Sequence, residues 1–235
     1  DNKMKLAVIS DIHGNIYALM KALEDIDEQK VDKIICLGDL VGYGPHPNEV
    51  VALIRRREIP CIKGNYDASV VDGDYTYIRN TAINSFALPW ASNEVRVANK
   101  YFLDSLPTSL KYTFNGVNFL FTHGSPNAIN DYLFEDAANT IEVMNKLEDD
   151  VLVCAHTHIP CAKKYGNKLL INVGSVGKPK IGKPNPTYAI IEIEDNGEVK
   201  VTFRYLEYKF KRIVKDCTML NFPLAITSSY ETGKE

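Results

Sequence analysis

Four of the chain's five histidines fall in three short stretches, VISDIHGN (8–15), FLFTHG (119–124) and VCAHTHIP (153–160), and each stretch ends an apolar run in polar residues. Two more stretches, ICLGDLVGYG (35–44) and IKGNYD (62–67), share that layout. The candidate ligands are therefore Asp11, His13, Asp39, Asn65, His123, His156 and His158: two carboxylates, one amide and four imidazoles. Oxygen and imidazole donors without thiolate suit Mn²⁺, Fe²⁺, Zn²⁺, Ni²⁺ or Mg²⁺ better than a structural zinc–cysteine site. Seven ligands exceed what one tetrahedral ion takes and suit two ions sharing a carboxylate. Two ions about 3.5–4 Å apart bring a bridging water to near-neutral pKa and hold both non-bridging oxygens of a phosphoryl group for in-line attack. The implied reaction is phosphoester hydrolysis.

Taken singly, each stretch has a plainer reading. Asp-x-His after a strand is an ordinary turn and cap, and Gly-Asp and Gly-Asn are common turn pairs. The conjunction argues otherwise, because buried imidazoles and carboxylates without partners cost several kcal/mol each and so need one another or an ion.

These residues need strands behind them. Leu6–Ser10 is a short apolar run, and Ile16, Leu19, Met20, Leu23 and Ile26 follow at helical spacing, which predicts a βα unit. Lys33–Leu37 predicts a second strand, Pro47 opens a helix carrying Val50, Val51, Leu53 and Ile54, and Pro60–Lys63 predicts a third strand. Such alternation implies a parallel sheet whose strand ends form a ligand crevice. A helical excursion is expected at about 68–106, its polar, aromatic-rich residues 74–105 reading as two helices. Asn115-Gly116 predicts a hairpin, a helix is expected over about 135–148, and Gly166-Asn167 and Asn196-Gly197 join further strand pairs at 162–165/168–172 and 187–193/198–205. The tail from about 209 reads as helix interrupted at Pro223.

With 235 residues, 45% hydrophobic and 24% charged, the chain is expected to form a single globular domain over 1–235. A net charge of −3 without a basic stripe argues against duplex nucleic acid as partner. No run reaches the roughly 20 apolar residues of a membrane helix, so no membrane is expected. The absence of a secretory pattern at the start and an odd number of cysteines, five, predict a cytoplasmic protein with reduced thiols.

Asp11-x-His13, Gly38-Asp39, Gly64-Asn65-x-Asp67, His123-Gly124 and His156-Thr157-His158 resemble, in order and approximate spacing, the motifs of the calcineurin-like metallophosphoesterases. The resemblance covers roughly residues 4–205, and LGDLVGYGPHPNE and INVGSVGKP are similar to stretches of the small bacterial and archaeal phosphodiesterase branch. It implies an α/β, four-layer αββα sandwich of two mixed β-sheets flanked by helices. It also implies two divalent ions per chain, with Mn²⁺ favoured. Carried over by position, Asp11, His13 and His158 would hold one ion, Asn65, His123 and His156 the other, and Asp39 would bridge. Asp39, Asn65 and His123 are thereby expected at the catalytic centre, with Tyr66 beside them. Many members have His where this chain has Tyr66, and a phenol is a sluggish acid at neutral pH. Ala155 stands where Gly is usual.

Further expectations concern substrate. His46, Arg79 and Lys178 are candidate contacts, with Lys180 and Lys183 near a distal phosphate. Gly174 and Ser175, within Asn172–Gly177, are candidates for offering backbone N–H groups to a phosphate. Tyr75, Tyr77, Phe86 and Trp90 suit either base stacking or core packing. The leading reading is a phosphodiesterase for a small phosphodiester or nucleotide, and the resemblance implies dinucleoside polyphosphates or cyclic nucleotides as examples. A phosphomonoesterase, a protein phosphatase or a non-catalytic scaffold are the alternatives, and a homodimer is expected by analogy.

Overall fold

The computed structural model describes residues 2–235. Strand β1 (Met4–Ile9), helix α1 (Ile16–Gln29), strand β2 (Lys33–Cys36) and helix α2 (Pro47–Arg56) come first. The Asn15 side chain accepts the Ala18 N–H at 3.1 Å and so caps α1, while Pro47 occupies the first turn of α2, where its missing N–H costs nothing. Three helices follow, α3 (Asn65–Asp72), α4 (Ala82–Glu94) and α5 (Val97–Ser105), then the hairpin of β3 (Ser109–Phe114) and β4 (Val117–Thr122). Asn115 and Gly116 turn that hairpin with φ of 49° and 80°, the two positive angles a tight primed turn demands. Helix α6 (Ala138–Lys146) and strands β5 (Val151–Cys154), β6 (Cys161–Tyr165), β7 (Lys168–Asn172), β8 (Thr187–Ile193) and β9 (Val199–Tyr205) complete the sheets. Helices α7 (Phe210–Met219) and α8 (Leu224–Thr232) end the chain.

Two mixed sheets result, one ordered β2-β1-β8-β9 and the other β3-β4-β5-β7-β6. β1 and β2 run parallel, as do β4, β5 and β7, while β8, β9, β3 and β6 pair antiparallel to their neighbours. Alternation along apolar strands supplies both faces. Leu6 and Val8 of β1 and Phe119, Phe121, Val151 and Val153 of β4 and β5 meet between the sheets. Ala7 and Ile9 turn the other way onto Leu19, Ile26, Val50 and Ile54 of α1 and α2. Leu120, Leu152 and Cys154 pack on Val143 and Met144 of α6. Helix, sheet, sheet and helix thus form the expected four-layer sandwich. No helix among the described residues is long and apolar enough to cross a membrane.

One expectation is corrected. Residues 60–63 make one isolated bridge, Cys36 to Cys61, rather than a strand, because Pro60 donates no hydrogen bond and the chain turns at once into α3. The two helices expected over 74–105 are α4 and α5. A further helix, α3, precedes them, and its start is signalled by the Asp67 carboxylate accepting the Gly64 N–H at 2.9 Å. Phe86 and Trp90 pack edge-on against Phe222 beside α7 and α8, which is the core packing of the two readings.

Candidate metal centre

The seven candidate ligands lie beyond the carboxyl ends of β1, β2, β4 and β5 and at the first residue of α3. All are buried, the most exposed being His156 at 4%. Five adopt left-handed backbone: Asp11 (φ 53°), His13 (47°), Asp39 (55°), His156 (75°) and His158 (64°). Such angles cost a non-glycine residue about 1 kcal/mol or more and persist where the surroundings impose them. Here neighbouring loops do so. The N–H groups of Asp11 and His13 donate to Gly38 O and Asp39 O at 2.9 Å each. Asp67 accepts the N–H groups of Asp39 at 2.7 Å and Leu40 at 2.9 Å. Gly64 fits because a Cβ there would stand 2.1 Å from Asp39 Oδ1.

Each ligand is held by one atom and leaves another open. His13 Nδ1 hydrogen-bonds Val41 O at 3.0 Å, His123 Nδ1 bonds Leu37 O at 2.7 Å and His158 Nδ1 bonds Lys178 O at 2.6 Å, so all three turn Nε2 inward. His156 is reversed: its Nε2 faces Asn130 O at 3.1 Å, which frees Nδ1. Asp11 Oδ2 accepts from Ser10 Oγ at 2.8 Å, Asp39 Oδ1 from Tyr66 N at 2.9 Å, and Asn65 Nδ2 donates to Tyr77 O at 3.2 Å. Asp11 Oδ1, Asp39 Oδ2, Asn65 Oδ1 and His123 Nε2 are then buried without a hydrogen-bond partner.

Those open atoms converge. Asp11, His13 and His158 form one group, and Asp39, His123 and His156 another, each with its ligand atoms within 4.8 Å of one another. Asp39 Oδ2 lies 3.1 Å from His123 Nε2 and 3.6 Å from His13 Nε2, between the two groups. Asp11 Oδ1 is 3.0 Å from His158 Nε2. Burial pushes His158 down to about 3 and His156 well below the ordinary imidazole value, so both are neutral donors. Burial also opposes a proton on His123, but the Asp39 and Asp11 charges outweigh it and hold His123 up at about 10. Burial would raise Asp11, yet the imidazoles of His158 and His123 draw it well below the usual carboxylate range. The carboxylates thus pull a positive charge into a buried space, and a divalent ion meets the same demand while displacing that proton. The residues fit two divalent cations.

Around this group several expected contacts are reassigned. Asn172–Gly177 spends most of its donors within the chain: Gly174 N donates to Asn172 Oδ1, Val176 N to Ser10 O and Gly177 N to Asp11 O, while Ser175 Oγ donates to Asp11 O and accepts Lys178 N. Ser175, Val176 and Gly177 therefore position the Asp11 loop, while Gly174 closes a turn on Asn172. His46 joins helices, its Nε2 at 2.8 Å from Asp216 of α7 and its Nδ1 accepting the Ile16 N–H, and is not aimed at a substrate. The Tyr66 hydroxyl lies 2.6 Å from both the Tyr43 hydroxyl and Asn84 Oδ1, so its single proton is held inside that triad. Burial raises its pKa well above 10, and its ring instead packs edge-on at 4.9 Å against His13. Lys178 is 2% exposed with its ammonium 4.6 Å from the Tyr43 ring centre, and Arg79 pairs with Glu235. Ala155 fits the core between the sheets without strain.

Sequence reasoning missed Asn130 and Tyr132, whose ring stacks on His156 at 4.0 Å, because nothing local marks the irregular segment before α6. Asp67 carried a signal, standing three residues after Gly64 where a capping carboxylate is expected.

Comparison with known proteins agrees with this geometry. Residues 4–196 match the family model described as the calcineurin-like phosphoesterase superfamily domain. Uncharacterized protein MJ0912 of Methanocaldococcus jannaschii is 35% identical over 227 residues, covering 89% of this chain and 90% of its own. Phosphodiesterase YfcE of Escherichia coli is 27% identical over 209 residues, covering 82% and 94%. The crystal structure of a metallophosphoesterase from Sphaerobacter thermophilus superposes with a TM-score of 0.82 at 26% identity, over 98% of this chain and 99% of that one.

Proposed function

The chain belongs to the calcineurin-like phosphoesterase superfamily, and from that premise we propose that it is a dinuclear metal-dependent phosphodiesterase acting on small, nucleotide-type phosphodiesters. The observation that carries this reading is Asp39 Oδ2, buried without a hydrogen-bond partner and set 3.1 Å from His123 Nε2 and 3.6 Å from His13 Nε2. Asp11, His13 and His158 would hold one ion, Asn65, His123 and His156 the other, and Asp39 both. Two such ions supply an acidified water and paired charge for the phosphoryl oxygens.

The protein's own part is orientation. Four carbonyl oxygens fix which imidazole nitrogen faces inward, as outer-shell partners of metal-binding histidines do. The apolar core between the sheets closes the rear of the site to bulk water. Because Tyr43 and Asn84 hold the Tyr66 proton, the leaving group departs without its help. Aryl and pyrophosphoryl diesters should therefore turn over faster than alkyl monoesters such as phosphoserine, which sets the phosphodiesterase reading above a monoesterase one.

The test is metal analysis beside kinetics. Protein reconstituted with Mn²⁺ should carry close to two ions per chain, and Asp39→Ala should lose both together with at least about a thousandfold of bis-p-nitrophenyl phosphate hydrolysis. An Asp39→Ala variant that keeps two ions, or hydrolysis equal in both proteins, overturns the proposal. Faster cleavage of phosphoserine than of the aryl diester overturns the preference.

A further inference from the structure

Beside the candidate metal centre lies a cavity of about 510 Å³ lined by Arg79, Tyr132, Phe134, Ile159, Lys180 and Glu235 among others. Two links tie it to the metal ligands: Tyr132 stacks on His156, and Lys180 N donates to His158 O at 3.4 Å. Its apolar side is planar, with the Tyr132 and Phe134 rings stacked at 5.8 Å and 12°. Its polar side is cationic. The Arg79 guanidinium stands 5.9 Å from the Tyr132 ring centre, and Lys180 lines the same side.

One anion occupies that cationic side. Glu235 Oε1 accepts from Lys180 Nζ at 2.9 Å and pairs with Arg79 Nη2. The two cations keep its carboxyl ionised, drawing it well below the usual range. The arrangement is unbalanced, since two cations, Arg79 and Lys180, share one carboxylate. It is also loose, because Glu235 and Arg79 side chains are 55% and 46% exposed, and ion pairs that open to water are weak and screened. A phosphate brings more acceptor oxygens and more charge than a carboxylate, and the planar guanidinium fork of Arg is shaped to grip it.

We propose that Arg79 and Lys180 form an anion subsite for a second phosphoryl group of the substrate, that the Tyr132–Phe134 face takes an attached planar group, and that Glu235 is an internal stand-in displaced on binding. This rests on the phosphodiesterase reading and adds to it a substrate class: phosphoesters with a further phosphate beside the scissile one. In this arrangement Glu235 acts as a selector, since a ligand without the second anion leaves the Glu235 pair undisturbed and gains nothing from the cations.

The test uses Mn²⁺-loaded full-length protein, with Mn²⁺ in excess over nucleotide, bis-p-nitrophenyl phosphate as reporter, and AMP and ADP as competitors that differ by one phosphate. Wild type should bind ADP about tenfold more tightly than AMP, the factor expected of a charge-assisted contact. Glu235→Gln should widen that ratio by about threefold or more, and Arg79→Ala or Lys180→Ala should bring it close to one. An ADP/AMP ratio that is the same in all four proteins overturns the subsite. If the reporter is not hydrolysed at all, the phosphodiesterase reading falls separately. Calorimetric titration of AMP and ADP onto the same four proteins without added metal then decides the subsite by the same ratio.

Discussion

Two buried carboxylate clusters sit in this molecule, and they are built to opposite ends. Asp25, on α1, faces β8 and β9, where its Oδ2 accepts from Tyr188 OH at 2.6 Å and Arg204 Nε at 2.9 Å and its Oδ1 from Arg204 Nη2 at 2.7 Å. Both of its oxygens are used. Asp11 and Asp39, at the other cluster, each spend one oxygen on the protein and leave one buried without a hydrogen-bond partner. A closed cluster serves the fold, because every charge has a fixed partner. The open cluster carries a standing electrostatic cost, which an added cation relieves. Burial alone therefore does not mark a functional carboxylate; an unanswered acceptor among imidazoles does.

The contrast can be broken most directly at the open cluster. His156→Ala and His158→Ala should each lower metal content from about two ions to about one and reduce hydrolysis by about a hundredfold or more, read by metal analysis and kinetics. If either variant lost both ions, the division into two groups around Asp39 would be wrong. Gly64→Ala tests the same cluster through the backbone. Its Cβ would meet Asp39 Oδ1 at 2.1 Å, so metal affinity should fall about ten- to a hundredfold, as for lost outer-shell support, while far-ultraviolet circular dichroism stays unchanged.

At the closed cluster the outcome should reverse. Asp25→Ala strands Arg204 and Tyr188 and should cost about 2 kcal/mol, less than a fully buried pair because Arg204 is partly exposed. A shift of roughly 5 °C in melting temperature should accompany it, with metal content unaltered. The smallest effect concerns acid. Arg204 hydrogen-bonds the Asp25 carboxylate and holds it below the usual carboxylate range, so this contribution is full above the unfolded value near 4 and is lost as pH falls through the lower folded value. Asp25→Asn should flatten that part of the acid limb in a melting-temperature series from about pH 6 to pH 2. An acid limb as steep as that of wild type would show that other carboxylates carry it.

Legibility followed the range of the interactions. Asp11, His13, His156 and His158 stand at strand ends, where an apolar run stops and a polar pair follows, and that signal is contained within a few residues. The two sheets were legible for the same reason, since Phe119–Phe121 and Val151–Val153 alternate between two apolar faces. The roles of Ser175 and His46 were not. Their partners, Asp11 and Asp216, lie 164 residues from Ser175 and 170 from His46, and a residue type that can bind phosphate can equally bind its own chain. Helix α3, ahead of the two helices read over 74–105, was hidden because the carboxylate that starts it also serves the Asp39 loop.

What the sequence determined by itself is the inventory: which donors exist, that they follow strands, and that they are oxygen and imidazole rather than thiolate. Ligand type and strand patterning are local properties, written in consecutive residues. Tertiary structure alone decided which atom of each ligand faces inward, that Asp39 Oδ2 falls between His13 and His123, and that the Tyr66 proton is already spent. It also brought Glu235 onto Arg79 and Lys180. The physical reason is that a side chain's free atom is whatever its distant partners leave over, and those partners are assembled only when the sheets close on one another.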